Sequence, residues 1–182
     1  MKKLLLILFV PFIVNSQQIS VMDAVVLKEG SDADYIEIEE FWSKIHEDII
    51  SQGKKMQWSI WKTSPGDPIA ADTKPADYII FNNYESQEQY DASRDIDYTA
   101  IAQRVHGISK KKAQKMIDSS FDPRETTRSY TLSIQAQAVS SDFSPQQGMV
   151  CSISLMNQKN DDYESFEKEV FKDQFQRRID NG

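Results

Sequence analysis

The sequence predicts an α+β sandwich in which one antiparallel sheet carries helices on a single face. Three observations lead there. Residues 34–53, DYIEIEEFWSKIHEDIISQG, place apolar side chains at helical spacing. The segments on either side, 18–27 and 55–61, alternate as strands, and two more strand-like runs, 77–84 and 127–138, bracket a helical region. The order strand, helix, strand, strand, helices, strand is the split βαβ arrangement of a ferredoxin-like βαββαβ sandwich.

Taken in order, the chain opens with a signal-peptide pattern at residues 1–16. Lys2 and Lys3 make a positive start, an apolar core follows, and Val14-x-Ser16 offers a cleavage point before Gln17. The apolar run is short for a bilayer span, so export without a membrane anchor is expected after cleavage near Ser16, to the periplasm or the outside. Residues 17–138 are expected to form the ferredoxin-like domain. In the first strand Ile19, Val21, Val25 and Leu27 share a face.

On the helix that follows, Ile38, Phe41, Trp42, Ile45 and Ile49 form one stripe with Tyr35 beside it, expected to lie on the sheet. Ser31 or Asp32 is expected to cap its start, and Gly53 to end it in a left-handed conformation. Lys54 and Lys55 then suit the negative end of the helix dipole. In 55–61, Met56, Trp58 and Ile60 alternate with Gln57, Ser59 and Trp61. Residues 62–76, with three prolines, read as a long loop. The strand at 77–84 is nearly continuous in apolar residues, as for a strand covered on both faces. Helical pieces are expected at 85–92, 97–106 and 109–119, with Gly107 as a break and Ser109 as a cap. In 127–138, Tyr130, Leu132, Ile134, Ala136 and Ala138 face one way and Thr131, Ser133, Gln135 and Gln137 the other.

Residues 139–148 form a polar linker, and 149–182 look like an incomplete second βα copy. A strand is expected at 149–156 and a helix at 161–182. Aligned on the closing glycines, EVFKDQFQRRIDNG answers EFWSKIHEDIISQG, so Phe171 answers Trp42 and Phe175 takes the place of His46. A lone strand and helix cannot bury their apolar faces alone. The expectation is therefore a fragment of a longer tandem protein, or pairing of the extra elements with the first domain or another subunit.

Composition narrows the function. Loss of Lys2 and Lys3 leaves 19 basic against 28 acidic residues, a net charge of −9, which repels phosphate backbones and argues against nucleic acid as a partner. The basic run 109–115 reads as solvated helix turns. Cys151, the one cysteine, cannot form an internal disulfide and is expected to be a small buried hydrophobe. With two histidines and one cysteine, no zinc or haem site is expected, and no cofactor motif is present. Asp95-x-Asp97 opens like a calcium loop but lacks the other ligands, so helix capping is the expectation.

The helix with W-x-x-x-H and a closing glycine (Trp42, His46, Gly53), the strand carrying Trp58 and Trp61, and the strand D-Y-I-I-F-N-N-Y at 77–84 carry a resemblance. The chain resembles uncharacterised exported bacterial proteins built from tandem ferredoxin-like units, related in shape to the dimeric α/β-barrel superfamily. That superfamily includes quinol-forming monooxygenases, haem-degrading enzymes and stress-response proteins. The resemblance implies the fold and dimerisation; none of those catalytic constellations has a counterpart in these residues.

One candidate site emerges. His46 lies at the edge of the helix stripe one turn after Trp42, where it could act as a base near neutral pH or pack as a boundary histidine. Tyr35, Trp42, Trp58 and Tyr130 are the other candidates for a pocket, or else core and interface residues. The expected function is an exported ligand-binding or protein-interaction module. Its partner would be a small apolar or aromatic ligand, or a second chain in a homo-oligomer. The alternative is a monooxygenase- or isomerase-type enzyme acting on a small aromatic substrate with His46 as base.

Overall fold

The computed structural model describes residues 17–64, 74–135, 137–138, 140, 143, 146–153 and 162–181. The signal-peptide segment, the middle of the long loop and part of the linker lie outside them. The chain divides into two compact units, Met1–Ser133 and Ile134–Gly182.

The first unit runs β1 (Ile19–Leu27), α1 (Asp32–Ser51), β2 (Gln57–Lys62), β3 (Tyr78–Tyr84), α2 (Gln87–Ala92), α3 (Tyr98–His106), α4 (Lys110–Asp118) and β4 (Arg124–Ser133). The four strands form one sheet in the order β2-β3-β1-β4, and every neighbouring pair is antiparallel. This is the ferredoxin-like α+β fold. The helix boundaries follow local chemistry. Asp97 caps α3 by accepting from Ala100 N, and Ser109 caps α4 by accepting from Lys112 N. Gly107, at φ +62°, turns the chain between them. Ser31 does sit at the start of α1 but makes no side-chain cap. Asp32 is not a cap either: its carboxylate accepts from Lys62 Nζ at 2.9 Å and from Tyr78 Oη at 2.7 Å, tying the helix start to β2 and β3.

The apolar ridge of α1 does not face the sheet as expected. Phe41, Ile45 and Ile49 are buried among Ile101 and Ala102 of α3 and Ala113 of α4, with Met116 and Val105 around them. Each such side chain contributes about 1.5–3 kcal/mol by burial. Towards the sheet α1 turns a line offset by roughly a quarter of the helix circumference: Tyr35, Glu39, Trp42 and His46, spaced at i, i+4, i+7 and i+11. Tyr35 joins Val25, Leu27, Tyr78 and Ile80 in the core between helix and sheet, with Trp58 and Ile60 packed against it. The physical reason is that a helix packed on two sides needs two faces. The greasier one meets the other helices.

Register assigns the faces of the sheet. Val25 pairs with Tyr78 and Thr127, Asp23 with Ile80 and Ser129, and Val21 with Asn82 and Thr131. These residues share the helix side. Tyr130 pairs with Met22 and Leu132 with Ser20, which places both on the opposite face, away from α1, where they are 40% and 41% exposed. β4 also starts three residues earlier than expected and ends at Ser133, not 138. A shift between Val26 and Leu27 sets Leu27 against Arg124, and so carries Arg124 to the helix side.

The second unit contains α5 (Tyr163–Phe166), a π-helical turn (Glu167–Phe171) and α6 (Lys172–Asp180). The expected strand at 149–156 is not formed over its described part, residues 149–153. Cys151 there is exposed, not buried as expected. Without a strand to place it in a core, nothing encloses the thiol.

Candidate functional site

Between α1 and the sheet lies a layer that is polar and aromatic where a small domain ordinarily has aliphatic core. α1 contributes Tyr35, Glu39, Trp42 and His46, and the sheet side contributes Asp23, Trp58, Asn82, Tyr84 and Arg124. Lys55, in the connection between α1 and β2, reaches into the same layer and is 2% exposed.

His46 stands between two indoles. Its ring is stacked on Trp42 at 5.8 Å between centroids and on Trp58 at 5.0 Å, with interplanar angles of 26° and 24°. Trp42 is fixed in turn by its indole N–H, which donates to the buried Ser120 Oγ at 2.9 Å, and by an edge contact with Tyr98. His46 Nδ1 lies 3.1 Å from Lys55 Nζ. Lys55 Nζ also donates to Asn82 Oδ1 at 2.7 Å and lies 5.6 Å from the Tyr84 ring centroid. Which of His46 Nδ1 and Lys55 Nζ donates is set by the tautomer of the histidine ring. Burial, and after it the Lys55 charge, hold His46 down to about 2. Burial likewise lowers Lys55 to about 8, against the opposing pull of the Asp23 carboxylate.

At the other end of the layer, Glu39 Oε1 accepts from Arg124 Nη2 at 3.1 Å, and both side chains are nearly enclosed. Burial raises the Glu39 carboxyl, with the Arg124 guanidinium opposing. Arg124 also lies over the Tyr35 ring at 5.5 Å. The Tyr35 hydroxyl is buried without a hydrogen bond of ordinary geometry, and burial followed by the Glu39 charge pushes it well up. Asp23 is half-buried and accepts from Ser129 Oγ across the β1–β4 pair.

Of the residues expected at the site, the structure brings Tyr35, Trp42, His46 and Trp58 into this layer. Tyr130 is not among them, because it lies on the far face of the sheet. The space beside His46 is filled by Trp42, Trp58 and Lys55. Two surface recesses lie elsewhere: one of about 530 Å³, lined by Gly53, Lys54, Gln89, Asp95 and Arg104 among others, and a shallow one along α4. His106, the other histidine, stacks on Phe41 at 4.5 Å and lies away from the layer. Among the described residues no group of three His, Cys, Asp or Glu side chains could hold a metal ion, and no helix is long and apolar enough to cross a membrane.

Sequence reasoning missed Lys55, Glu39 and Arg124. Glu39 was within reach of it, lying four residues after Tyr35 and seven before His46 on one helix line. Lys55 had no such signal: it follows the closing glycine of a helix, where lysine is ordinarily solvated.

No protein-family model matches the chain, and no curated protein matches it. Among solved structures it is similar to a NIPSNAP family protein of unknown function from Agrobacterium tumefaciens, at 11% identity and a TM-score of 0.42 over 66% of this chain and 90% of that one. It is also similar to a dimeric ferredoxin-like protein of unknown function from Thermobifida fusca, at 12% identity and a TM-score of 0.40 over 65% and 92%. A third is a protein of unknown function from Bacteroides thetaiotaomicron described as a possible oxidoreductase, at 8% identity and a TM-score of 0.38 over 66% and 99%. Values this low carry no functional inference. The fold rests on the strand order and register given above.

Proposed function

We propose that the chain is an exported interaction module that pairs with a second copy of itself through β4, an edge strand of its sheet. One observation carries this reading. β4 is the outermost strand, and its last five residues, from Ser129 to Ser133, are uncharged and exposed. Edge strands that avoid association usually carry charges, proline or a bulge there. On the face of the sheet away from α1, Tyr130 and Leu132 of β4 are exposed, whereas Met22, Ala24 and Val26 of the neighbouring β1 are buried. A second copy suits such an edge because a two-fold axis can set the uncharged stretch from Ser129 to Ser133 of one β4 against that of the other.

Export rests on the pattern at residues 1–16. The helical stretch of the second unit leaves Phe166, Phe171 and Phe175 exposed. The test is native mass spectrometry of the exported form, expected to begin at Gln17. A dimer is expected for the wild type and a monomer for Tyr130→Lys/Leu132→Lys, with far-ultraviolet circular dichroism unchanged. A wild type that stays monomeric at every concentration overturns the reading.

A second reading, binding or conversion of a small aromatic compound in the polar layer, is favoured by the buried Lys55–His46 pair. In it His46 is a poor choice of base, since a ring held near pKa 2 accepts protons weakly.

A further inference from the structure

The helical stretch of the second unit, α5 through α6, buries none of its residues. Along it Phe166, Val170, Phe171, Phe175 and Ile179 are 38% to 56% exposed. A helix of this length draws little stability from propensity alone and ordinarily rests on a packed apolar face. At about 100° per residue, Phe166 and Val170 would stand opposite Phe175 and Ile179 on a straight α-helix. The π turn at Glu167–Phe171 holds more residues per turn and so draws the two pairs towards one side. Charge is sorted along the same stretch. Asp162, Glu164, Glu167 and Glu169 against Lys168 make its first half acidic, whereas Lys172, Arg177 and Arg178 outweigh Asp173 and Asp180 in the second.

We propose that this stretch pairs antiparallel with the same stretch of a second copy, inside the dimer formed through β4. The inference rests on the β4 reading and adds a second contact about the same two-fold axis. Such an axis makes the contact self-complementary: each acidic half meets a basic half, and the two helix dipoles oppose one another. The sorting suits each helix's own dipole as well, but an unrelated apolar surface would match the phenylalanines and leave the charges unmatched. Across the axis the phenylalanines, Val170 and Ile179 give up their water together. Residues 134–161 join β4 to α5, and their extended span exceeds the width of a four-stranded sheet several-fold, so the two stretches can meet. With the copies already held through β4, the helices meet at high effective concentration, and a contact too weak to form a dimer alone is sufficient.

The experiment is crosslinking of the mature chain with a short bismaleimide, in a Cys151→Ser background that leaves one introduced cysteine at a time. Lys172, Glu164 and Asp180 are all exposed, so replacing them disturbs no core. An antiparallel two-fold pair sets the middle of each stretch against itself and holds each end roughly 20 Å from its own counterpart. Lys172→Cys is therefore expected to form covalent dimers at least about tenfold faster than Glu164→Cys or Asp180→Cys. Co-expressed Glu164→Cys and Asp180→Cys chains are expected to crosslink rapidly to each other. Adding Tyr130→Lys/Leu132→Lys is expected to abolish both reactions. Equal rates at the three positions in a protein that is dimeric by native mass overturn this inference and leave the β4 reading standing. A wild type that is monomeric by native mass overturns both. Crosslinking of Lys172→Cys that survives Tyr130→Lys/Leu132→Lys separates the helices from the β4 dimer and overturns the inference as well.

Discussion

Lys55 and His46 meet 3.1 Å apart inside the domain, two groups that in water would both bind protons more readily than they do here. Their closeness makes stability depend on pH at two ends of the scale.

At the alkaline end, the unfolded chain keeps the Lys55 proton to its ordinary 10.5, whereas the folded protein releases it near 8. Between those values the unfolded state binds more protons, so stability rises with pH, by at most about 1.4 kcal/mol per pH unit. Urea titrations from pH 8 to 10.5 are expected to show that rise, and Lys55→Met to flatten it. A wild-type profile that is already flat would mean the amine keeps its proton when folded.

At the acid end the sign is the same. His46 stays neutral in the fold to about 2 but takes a proton near 6.5 once unfolded, so its contribution is complete above 6.5 and erodes below it. His46→Phe keeps an aromatic ring between Trp42 and Trp58 and removes the nitrogen that faces Lys55. It is expected to cost about 1–3 kcal/mol by chemical denaturation. His46→Ala also empties the space between the indoles and is expected to cost more, about 3–5 kcal/mol. Equal losses for the two variants would show that the stacked ring contributes nothing.

Glu39 and Arg124 form a nearly enclosed ion pair that joins α1 to the start of β4. Glu39→Gln leaves the guanidinium without its counter-charge and is expected to destabilise by roughly 3–5 kcal/mol. Pairing it with Arg124→Met should recover most of that loss, because an apolar pair needs no compensation. A double variant no more stable than Glu39→Gln would place the cost in packing.

Gly107 sits at φ +62° between α3 and α4, with open space where a Cβ would go. Gly107→Ala therefore meets no neighbour and suffers only backbone strain, expected at about 1 kcal/mol in the unfolding free energy.

The order of elements was legible because each rests on local chemistry: Asp97, Ser109 and Gly107 mark helix ends by hydrogen bonds and backbone freedom within a few residues. Which neighbour each face meets was not. The stripe through Phe41, Ile45 and Ile49 says that something apolar covers it, and only the fold decides between a sheet and two helices. Tyr130 failed as a pocket residue for a related reason. On β4 the helix side is lined by Thr127, Ser129 and Thr131 and the apolar residues point outward, so hydrophobicity indicated the wrong face. Lys55 was illegible as a buried group because its partner Asn82 lies far along the chain; Glu39 stood on the helix line of Tyr35 and His46, but its partner Arg124 lies equally far away and could not be read.

Helix α1 is gripped from both sides, by α3 and α4 on one and by the sheet on the other. It cannot open by swinging away from a single neighbour, so its amides can exchange with solvent only when the whole domain comes apart. Deuterium uptake should be slowest in the middle of α1, around Ile45, and fast in α2, which has no buried residue. The group that holds the Lys55 amine in place is thus mounted on the least yielding part of the molecule.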